Sequence, residues 1–242
     1  PASANLCKDP VDSPLLDQEA QKIFHSDVAT ILFIAKRVRM QCLTAVSVLA
    51  SRVKIATEAD RAKLDRVFGY LSETEDAIMR FRCGGEVSLS AYVDASWATH
   101  DDGHGRSGIV LMMADCAVAA WSSKQKMVTR SSTESEIVAL SDATTQIMWF
   151  RLWLAEQGHD VSPVKVYQDN MAVLDLMRSP RRTSQRTKHL DVRLFYARDL
   201  EEEGHIELEW LSTKHMIADL LTKPLQGLLF TSLCDQLMGN VL

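Results

Sequence analysis

Residues 87–121, VSLSAYVDASWATHDDGHGRSGIVLMMADCAVAAW, decide the fold class of this chain. Apolar and polar residues alternate from Val87 to Val93, as in a strand with one buried face, and the run ends at Asp94. Two further apolar runs, 108–113 and 117–121, follow a polar loop and are separated by a short turn. Consecutive strands that are joined by short connections pair with each other in antiparallel orientation. The stretch therefore predicts a meander of three antiparallel strands.

Downstream of the meander, helical and strand patterns alternate. Ser131 and Glu134 have the spacing of a capping box, which predicts a long helix that ends at Gly158. Short strands are predicted at 164–167 and 206–210, and helices at 170–178, 188–203 and 226–238, with a short helix around Asp219 capped by Ser212 or Thr213. The order βββ-α-β-α-α-β-α predicts an α/β (α+β) fold, in which helices flank a five-stranded mixed sheet.

Upstream of the meander, the apolar residues recur with helical spacing, and Thr57 is a suitable N-cap for the third of three helices. Alternation at 78–82 predicts an additional strand before a turn at 83–86. We therefore predict four parts. They are an extended, poorly packed lead-in at 1–17, a helical unit at 18–72 that packs beside the sheet without joining it, the sheet domain at 77–225, and a C-terminal helix within 226–242.

The composition is that of an ordinary globular protein, with 242 residues, 46% hydrophobic and 24% charged residues, and a net charge of −5. No apolar run approaches the ~20 residues that span a bilayer, and no signal peptide is recognisable. The five cysteines are scattered without a CxxC pair, which argues against a zinc site and against a disulfide scaffold. We expect a soluble, intracellular protein with reduced cysteines and no membrane partner.

Four acidic residues occupy positions where a solvated surface is a poor explanation. Asp94 and Asp169 each end an apolar strand, Glu136 shares a helical stripe with Leu140, and Asp219 lies in an apolar segment. Carboxylates that leave water need a cation or a donor, and Mg²⁺ prefers oxygen ligands. Two such ions about 4 Å apart can promote phosphodiester hydrolysis. The alternative is four unrelated acids at helix caps and strand ends.

Basic residues form two clusters although the net charge is negative. The first comprises Arg178, Arg181, Arg182, Arg186 and Lys188, and the second comprises Lys124, Lys126 and Arg130. Guanidinium and ammonium groups suit contacts with nucleic-acid phosphates, whereas the alternative for each cluster is a solvated loop. The loop from His100 to His104 is interpreted as a polar surface loop and not as a metal site.

Several motifs in one order make residues 77–225 resemble the ribonuclease H region of copia-type retrotransposon reverse transcriptases. They are YVDASWA (92–98), AAWSSKQKMVTRSSTESEIVAL (119–140), YQDNM (167–171), RTKHLDVRLFY (186–196) and WLSTKHMIADLLTKPL (210–225). Residues 25–72 more loosely resemble the preceding thumb and connection segment. The resemblance implies a ribonuclease H-like fold and cleavage of the RNA strand of RNA–DNA hybrids with two Mg²⁺ or Mn²⁺ ions. It also implies catalytic, metal-binding roles for Asp94, Glu136, Asp169 and Asp219.

Departures from the family pattern leave a second function open. The YxDD motif of the polymerase is absent, so the chain is not expected to synthesise DNA. His215 lies one helical turn before Asp219, where many ribonucleases H have a histidine about ten residues before the last aspartate, and its role stays open. The alternative is a domesticated, non-catalytic subunit of a ribonucleoprotein, which binds structured RNA and contacts other protein subunits through residues 18–72.

Overall fold

The central element is a five-stranded mixed sheet. The computed structural model describes residues 5–8, 10, 12–81, 87–179 and 188–240, with side chains from Val192 onward in the last range. The strands are β1 (Leu89–Ser96), β2 (Arg106–Met113), β3 (Cys116–Lys124), β4 (Val164–Gln168) and β5 (Ile206–Trp210), in the spatial order β3-β2-β1-β4-β5. β1, β2 and β3 pair antiparallel, whereas β4 lies parallel to both β1 and β5.

Helices cover both faces of this sheet. One face carries α4 (Ser132–Glu156), α5 (Met171–Arg178) and α6 (Lys188–Glu202), and the other carries α1 (Gln18–Ala35), α2 (Leu43–Ser51), α3 (Glu58–Glu73) and α7 (Gly227–Leu237). The alternation along β1 explains the two faces, because Ala91 and Val93 join the core under α4 whereas Tyr92 packs into the opposite core. The predicted fold class is confirmed, and the arrangement is ribonuclease H-like.

The predicted caps of α3 and α4 are present, with one change of partner at α4. The Ser131 side chain accepts a hydrogen bond from the backbone N–H of Glu134 (3.2 Å). The Glu134 carboxylate accepts from the N–H of Arg130 (2.7 Å), one residue before the N-cap. Thr57 forms a full capping box with Asp60 at the start of α3. These caps satisfy N–H groups that a helix leaves without internal partners, and they fix where α3 and α4 begin.

Two predicted elements are wrong. The described part of the expected strand at 78–82, residues 78–81, lies outside the sheet, and Arg80 donates its N–H to the carbonyl of Met238 (2.8 Å) instead of to a strand. Residues 82–86 lie outside the described ranges. The expected capped helix around Asp219 is a pair of 3-10 turns, Thr213–His215 and Ile217–Leu221, without a side-chain cap from Ser212. We call Ile217–Leu221 the Asp219 turn.

The N-terminal part is more closely packed than the sequence predicts. Leu6, Cys7 and Leu16 are buried, and Leu15 forms an isolated β-bridge with Thr57, so a poorly packed lead-in is wrong for the described residues. The helices α1 to α3 contribute no strand to the described sheet. They share one hydrophobic core with β2, β3, the Asp219 turn and α7. The helical region is therefore a layer of the molecule and not a separate body beside it.

The described cysteines are free thiols. Cys7, Cys42, Cys116 and Cys234 are buried free thiols, and Cys83 lies outside the described ranges. Within the part of the chain that the structure describes, none of the helices has the length and apolar character needed to cross a membrane.

Candidate metal centre

The ends of two parallel strands and the start of one helix bring three carboxylates together. The pairing of Tyr92 with Tyr167 sets β1 beside β4, so that Asp94 in β1 and Asp169 just after β4 reach the same edge. Glu136 extends to this edge from the first turns of α4. One carboxylate oxygen of each residue lies within 4.8 Å of the others. The position of the site is thus a consequence of the strand order.

Glu136 lies in surroundings that strongly disfavour its charged form. Its side chain is 4% exposed, and Gln168 donates to one of its oxygens (3.3 Å). Burial, and then the neighbouring charges of Asp94 and Asp169, raise the pKa of Glu136 to about 9. Without a cation, the site therefore favours a proton on this carboxyl group.

Asp219 is connected to the same site by Lys223, which contacts both Asp219 and Asp94. The ammonium nitrogen of Lys223 lies 2.5 Å from an oxygen of Asp219 and 3.4 Å from an oxygen of Asp94. The Thr222 hydroxyl donates to the other oxygen of Asp94. Burial and the charge of Asp94 raise the pKa of Asp219 to about 7, against the opposing effect of Lys223. Burial alone would lower the pKa of Lys223, but the carboxylates of Asp94 and Asp219 raise it above its ordinary value.

Asp169 lies at the more open side of the site. The Thr213 hydroxyl donates to its carboxylate (2.9 Å), and the indole N–H of Trp210 donates to its backbone carbonyl (3.2 Å). These bonds connect β5 and the following 3-10 turn to the end of β4. His215 is exposed in the same turn. The open side is therefore the side from which a substrate can reach the three carboxylates.

The donor set fits a hard divalent cation. Asp94, Glu136 and Asp169 offer oxygen atoms alone, which are the ligands that Mg²⁺ and Mn²⁺ take in proteins. Burial, and then the charges of Asp94 and Asp169, raise the pKa of Glu136, and a bound cation would oppose this effect by favouring the ionised form. Among the residues that the structure describes, this is the group of acidic, histidine or cysteine side chains with the spacing of a metal site.

The basic residues predicted to bind nucleic acid are only partly described. Lys124 is paired with Asp102, whereas Lys126 and Arg130 are exposed in the loop that leads into α4. Arg178 is exposed at the end of α5. Arg181, Arg182, Arg186 and the side chain of Lys188 lie outside the described part of the chain. The loop from His100 to His104 is a surface turn held by Asp102, which contacts both His104 and Lys124.

Sequence reasoning missed the neutral and basic partners of the acids. Gln168, Thr213, Thr222 and Lys223 make the contacts just described, yet none of them was predicted to contact the acids. For Lys223 a signal exists, because a lysine four residues after an aspartate lies on the same side of a helical turn. For the other three no sequence pattern distinguishes them from ordinary polar residues.

No family model matches the chain. It is 32% identical over 188 residues to the Retrovirus-related Pol polyprotein from transposon RE2 of Arabidopsis thaliana, and 30% identical over 195 residues to that from transposon RE1. It is 27% identical over 217 residues to that from transposon TNT 1-94 of Nicotiana tabacum. These matches cover 77%, 80% and 89% of the chain, which spans only 13 to 16% of the polyproteins.

The chain also resembles solved structures of ribonucleases H. RNase H1 from the halophilic archaeon Halobacterium salinarum is 19% identical, with a TM-score of 0.43 over 57% of this chain and 95% of that one. LC11-RNase H1 in complex with an RNA/DNA hybrid is 13% identical, with a TM-score of 0.43 over 56% of this chain and 94% of that one.

Proposed function

The chain is a ribonuclease H region of the copia-type retrotransposon family, and from this we propose that it is a metal-dependent ribonuclease that cleaves the RNA strand of RNA–DNA hybrids. The observation that carries the proposal is the convergence of Asp94, Glu136 and Asp169 within 4.8 Å at one edge of the sheet. The family motifs surround these same three residues.

In this proposal Asp94, Glu136 and Asp169 hold the divalent ion, and Asp219 adds negative charge beside them. A bound ion would supply the positive charge that phosphodiester hydrolysis needs in its transition state and would activate the attacking water. Gln168 orients Glu136, and Thr213 orients Asp169. The chain itself thus supplies fixed ligands, so that little reorganisation is needed when the ion and the substrate arrive.

The hybrid is proposed to lie across the open side of the site, held by the basic residues. Contact residues are Lys124, Lys126, Arg130, Arg178, Arg181, Arg182, Arg186 and Lys188, which we propose bind phosphates and not base edges. A ribonuclease of this kind acts on any sequence, and phosphate contacts carry no sequence information. The clustered positive charges can attract phosphates locally although the net charge of the whole chain is negative.

A protein partner is proposed for the outer surface of the helical layer. Ile23 and Phe33 of α1 are 50% and 60% exposed, and Val38 and Ile55 are 51% and 55% exposed. The guanidinium of Arg37 covers part of the Phe33 ring at 3.7 Å from its centroid. Contiguous exposed apolar side chains mark surfaces that contact other proteins, and we propose that these four residues contribute to such a surface.

A second function, a non-catalytic subunit of a ribonucleoprotein, is favoured by one observation. Two of the four acids, Asp94 and Asp219, share the ammonium of Lys223, which offsets part of their negative charge without a metal ion. In that case the fold would be retained as a scaffold that binds structured RNA and neighbouring proteins.

Hybrid cleavage distinguishes the two functions. Purified protein with Mg²⁺ or Mn²⁺ is expected to cut the RNA strand of a labelled RNA–DNA hybrid. Asp94→Asn and Asp169→Asn each remove a ligand charge with little change in shape. Each is expected to reduce the rate by ~10³-fold or more, about 4 kcal/mol of activation free energy.

The matched control is Asp175→Asn. Asp175 is exposed on α5, a short distance along the chain from Asp169, so this variant makes the same chemical change outside the site. It is expected to cleave at the wild-type rate. A wild type that does not cleave with either metal ion would favour the scaffold function and sink the proposal.

A further inference from the structure

The site contains a cation that belongs to the protein itself. The ammonium of Lys223 lies 2.5 Å from Asp219 and 3.4 Å from Asp94, and both carboxylates are 1% exposed. Two buried carboxylates this close to one ammonium form a compact ion-paired group. The ion pairs and hydrogen bonds within this group offset part of the cost of removing its charges from water.

The backbone places this ammonium, so its position is a built feature of the fold. The N–H groups of Thr222 and Lys223 both donate to the carbonyl of Asp219, at 3.3 and 3.0 Å. This turn brings the side chain of Lys223 back over Asp219. Lys223 also lines a small cavity of about 60 Å³ together with Leu220, Leu225 and Phe230.

The geometry separates the four acids into two overlapping cation positions. Oxygens of Asp94, Glu136 and Asp169 approach one another within 4.8 Å, and Asp219 is not part of that group. Asp219 instead shares Lys223 with Asp94. Asp94 therefore belongs to both positions, the first open to a divalent ion and the second filled by an ammonium. A divalent ion and an ammonium in the same second position would repel each other strongly in this buried setting.

We infer that Lys223 takes the place of a second metal ion, so that the chain binds a single divalent ion, at Asp94, Glu136 and Asp169. This inference rests on the proposed function, since it assumes that the carboxylates bind a metal ion. It replaces the two ions that the family resemblance implies with one divalent ion and one fixed ammonium. The fixed ammonium needs no uptake from solution, and it supplies positive charge at the wall of the site near Asp219.

The number of bound ions tests this inference without any measurement of activity. Mn²⁺ is titrated into the metal-free protein, and free Mn²⁺ is followed by its electron paramagnetic resonance signal. The wild type is expected to bind one Mn²⁺. Lys223→Met, which keeps the length of the stem and removes the charge, is expected to bind two. Lys223→Arg, which keeps the charge, is expected to bind one.

The matched control is Lys36→Met, which removes the same charge at the exposed C-terminal end of α1 and is expected to bind one Mn²⁺. Circular dichroism establishes that each variant is folded, and Lys223→Gln replaces Lys223→Met if the latter unfolds. A wild type that binds two Mn²⁺ with similar affinity would overturn the inference. A folded neutral variant that still binds one would overturn it as well.

Hybrid cleavage, measured on the same preparations, separates this inference from the proposed function. A wild type that cleaves the hybrid while it holds two ions would leave the function standing and remove the role of Lys223. A wild type that holds one ion and cleaves nothing would support the inference and remove the function. A wild type that binds no Mn²⁺ at all would overturn both.

Discussion

At the scale of single residues, the acids differ from one another more than the sequence implies. Sequence reasoning treats Asp94, Glu136, Asp169 and Asp219 as four equivalent metal ligands. In the structure, Lys223 forms ion pairs with Asp94 and Asp219, whereas the side chain that donates to Glu136 is the neutral amide of Gln168. A neutral substitution at Glu136 therefore relieves repulsion without the loss of an ion pair. A neutral substitution at Asp94 removes an ion pair with Lys223.

Glu136→Gln is expected to raise the stability of the metal-free protein and to weaken its dependence on pH. The pKa of Glu136 is raised to about 9 in the fold, from an ordinary value of 4.5. The folded state then binds a proton more tightly than the unfolded chain, so the free energy of unfolding falls as the pH rises from about 4.5 to about 9. Urea denaturation at several pH values in the presence of a chelator measures this fall. Glutamine at position 136 should remove the part that Glu136 contributes.

The control for this prediction is Glu156→Gln, at an exposed position near the end of the same helix, which should leave the pH dependence unchanged. Addition of Mg²⁺ to the wild type should oppose the fall in stability, because a bound cation stabilises the ionised form of Glu136 in the folded state. Identical pH profiles for the wild type and Glu136→Gln would show that Glu136 is not the group concerned.

At the scale of elements, the sequence predicted the strands and most helices because hydrophobic periodicity and capping residues are local signals. It failed at 78–82 since alternation also occurs where an extended segment packs on a core. There Met79 contacts the core, and Arg80 bonds to Met238. The prediction of a helix around Asp219 failed because tertiary hydrogen bonds shape this segment. The Thr44 hydroxyl donates to the carbonyl of Leu220 (2.7 Å), and the Ser122 hydroxyl donates to the carbonyl of Leu221 (2.6 Å). Those bonds come from distant parts of the chain.

Gly108 of β2 lies against the Asp219 turn, at a close approach between the turn and the sheet. It pairs with Asp94, and a Cβ atom at this position would lie 2.7 Å from the Thr222 side chain and 2.8 Å from the carbonyl of Ala218. Gly108→Ala is therefore expected to displace the turn that carries Asp219. We expect a loss of about 1–3 kcal/mol in the free energy of unfolding and reduced hybrid cleavage. Urea denaturation and a cleavage assay measure the two effects.

The matched control is Gly69→Ala in α3, where an added Cβ would meet nothing within 4 Å. Because glycine costs a helix conformational entropy, this variant should gain about 0.5–1 kcal/mol and cleave normally. If Gly108→Ala is as stable and active as the wild type, the Asp219 turn does not depend on this close approach.

The first basic cluster allows a prediction that depends on charge alone. Replacement of Arg181, Arg182 and Arg186 with alanine is expected to weaken hybrid binding by a similar factor for unrelated sequences. It should also reduce the dependence of log K on log salt, by about 0.7–0.9 for each phosphate contact that is lost. Fluorescence anisotropy over a range of salt concentrations measures both quantities.

A triple variant of the helical layer is the control for this effect, since Lys22, Lys36 and Lys54 are exposed there and carry the same total charge. Their replacement with alanine should change the salt dependence far less. If both triple variants behave alike, the effect comes from net charge, and the segment around Arg182 is a solvated loop.

At the scale of the whole molecule, the helical layer and the sheet form one body. The core that contains α1, α2 and α3 also contains Val110 and Met112 of β2 and most of the Asp219 turn. Arg106 of β2, which is 1% exposed, donates to the Ser47 hydroxyl of α2 (2.6 Å) and to Ser122 of β3 (2.9 Å). A buried arginine held in this way connects the layers, and its desolvation lowers its pKa. This contact between layers could not be predicted from the sequence. Helical periodicity indicates which face of a helix is buried, but it does not indicate which element covers that face.

Because the core is shared, a substitution that destabilises the helical layer is expected to destabilise the sheet as well. The five tryptophans lie at Trp97, Trp121, Trp149, Trp153 and Trp210, so tryptophan fluorescence reports on the sheet and its adjoining segments and not on α1 to α3. Leu49 of α2 is fully buried. Leu49→Ala is expected to cost about 2–5 kcal/mol and to shift unfolding equally when followed by tryptophan fluorescence and by far-ultraviolet circular dichroism. Coincident transitions are the signature of a single cooperative unit.

Ile23→Ala is the matched control, because Ile23 is half exposed in the same layer and its truncation should change the free energy of unfolding by no more than about 0.5 kcal/mol. If instead Leu49→Ala shifts the circular dichroism transition and leaves the fluorescence transition in place, the helices unfold on their own and the layer is a separate domain. The distinction matters for the site, since Thr44 of α2 binds the carbonyl of Leu220 beside Asp219. In a single cooperative unit, the helical layer is one of the supports that hold the fourth carboxylate and Lys223 in place.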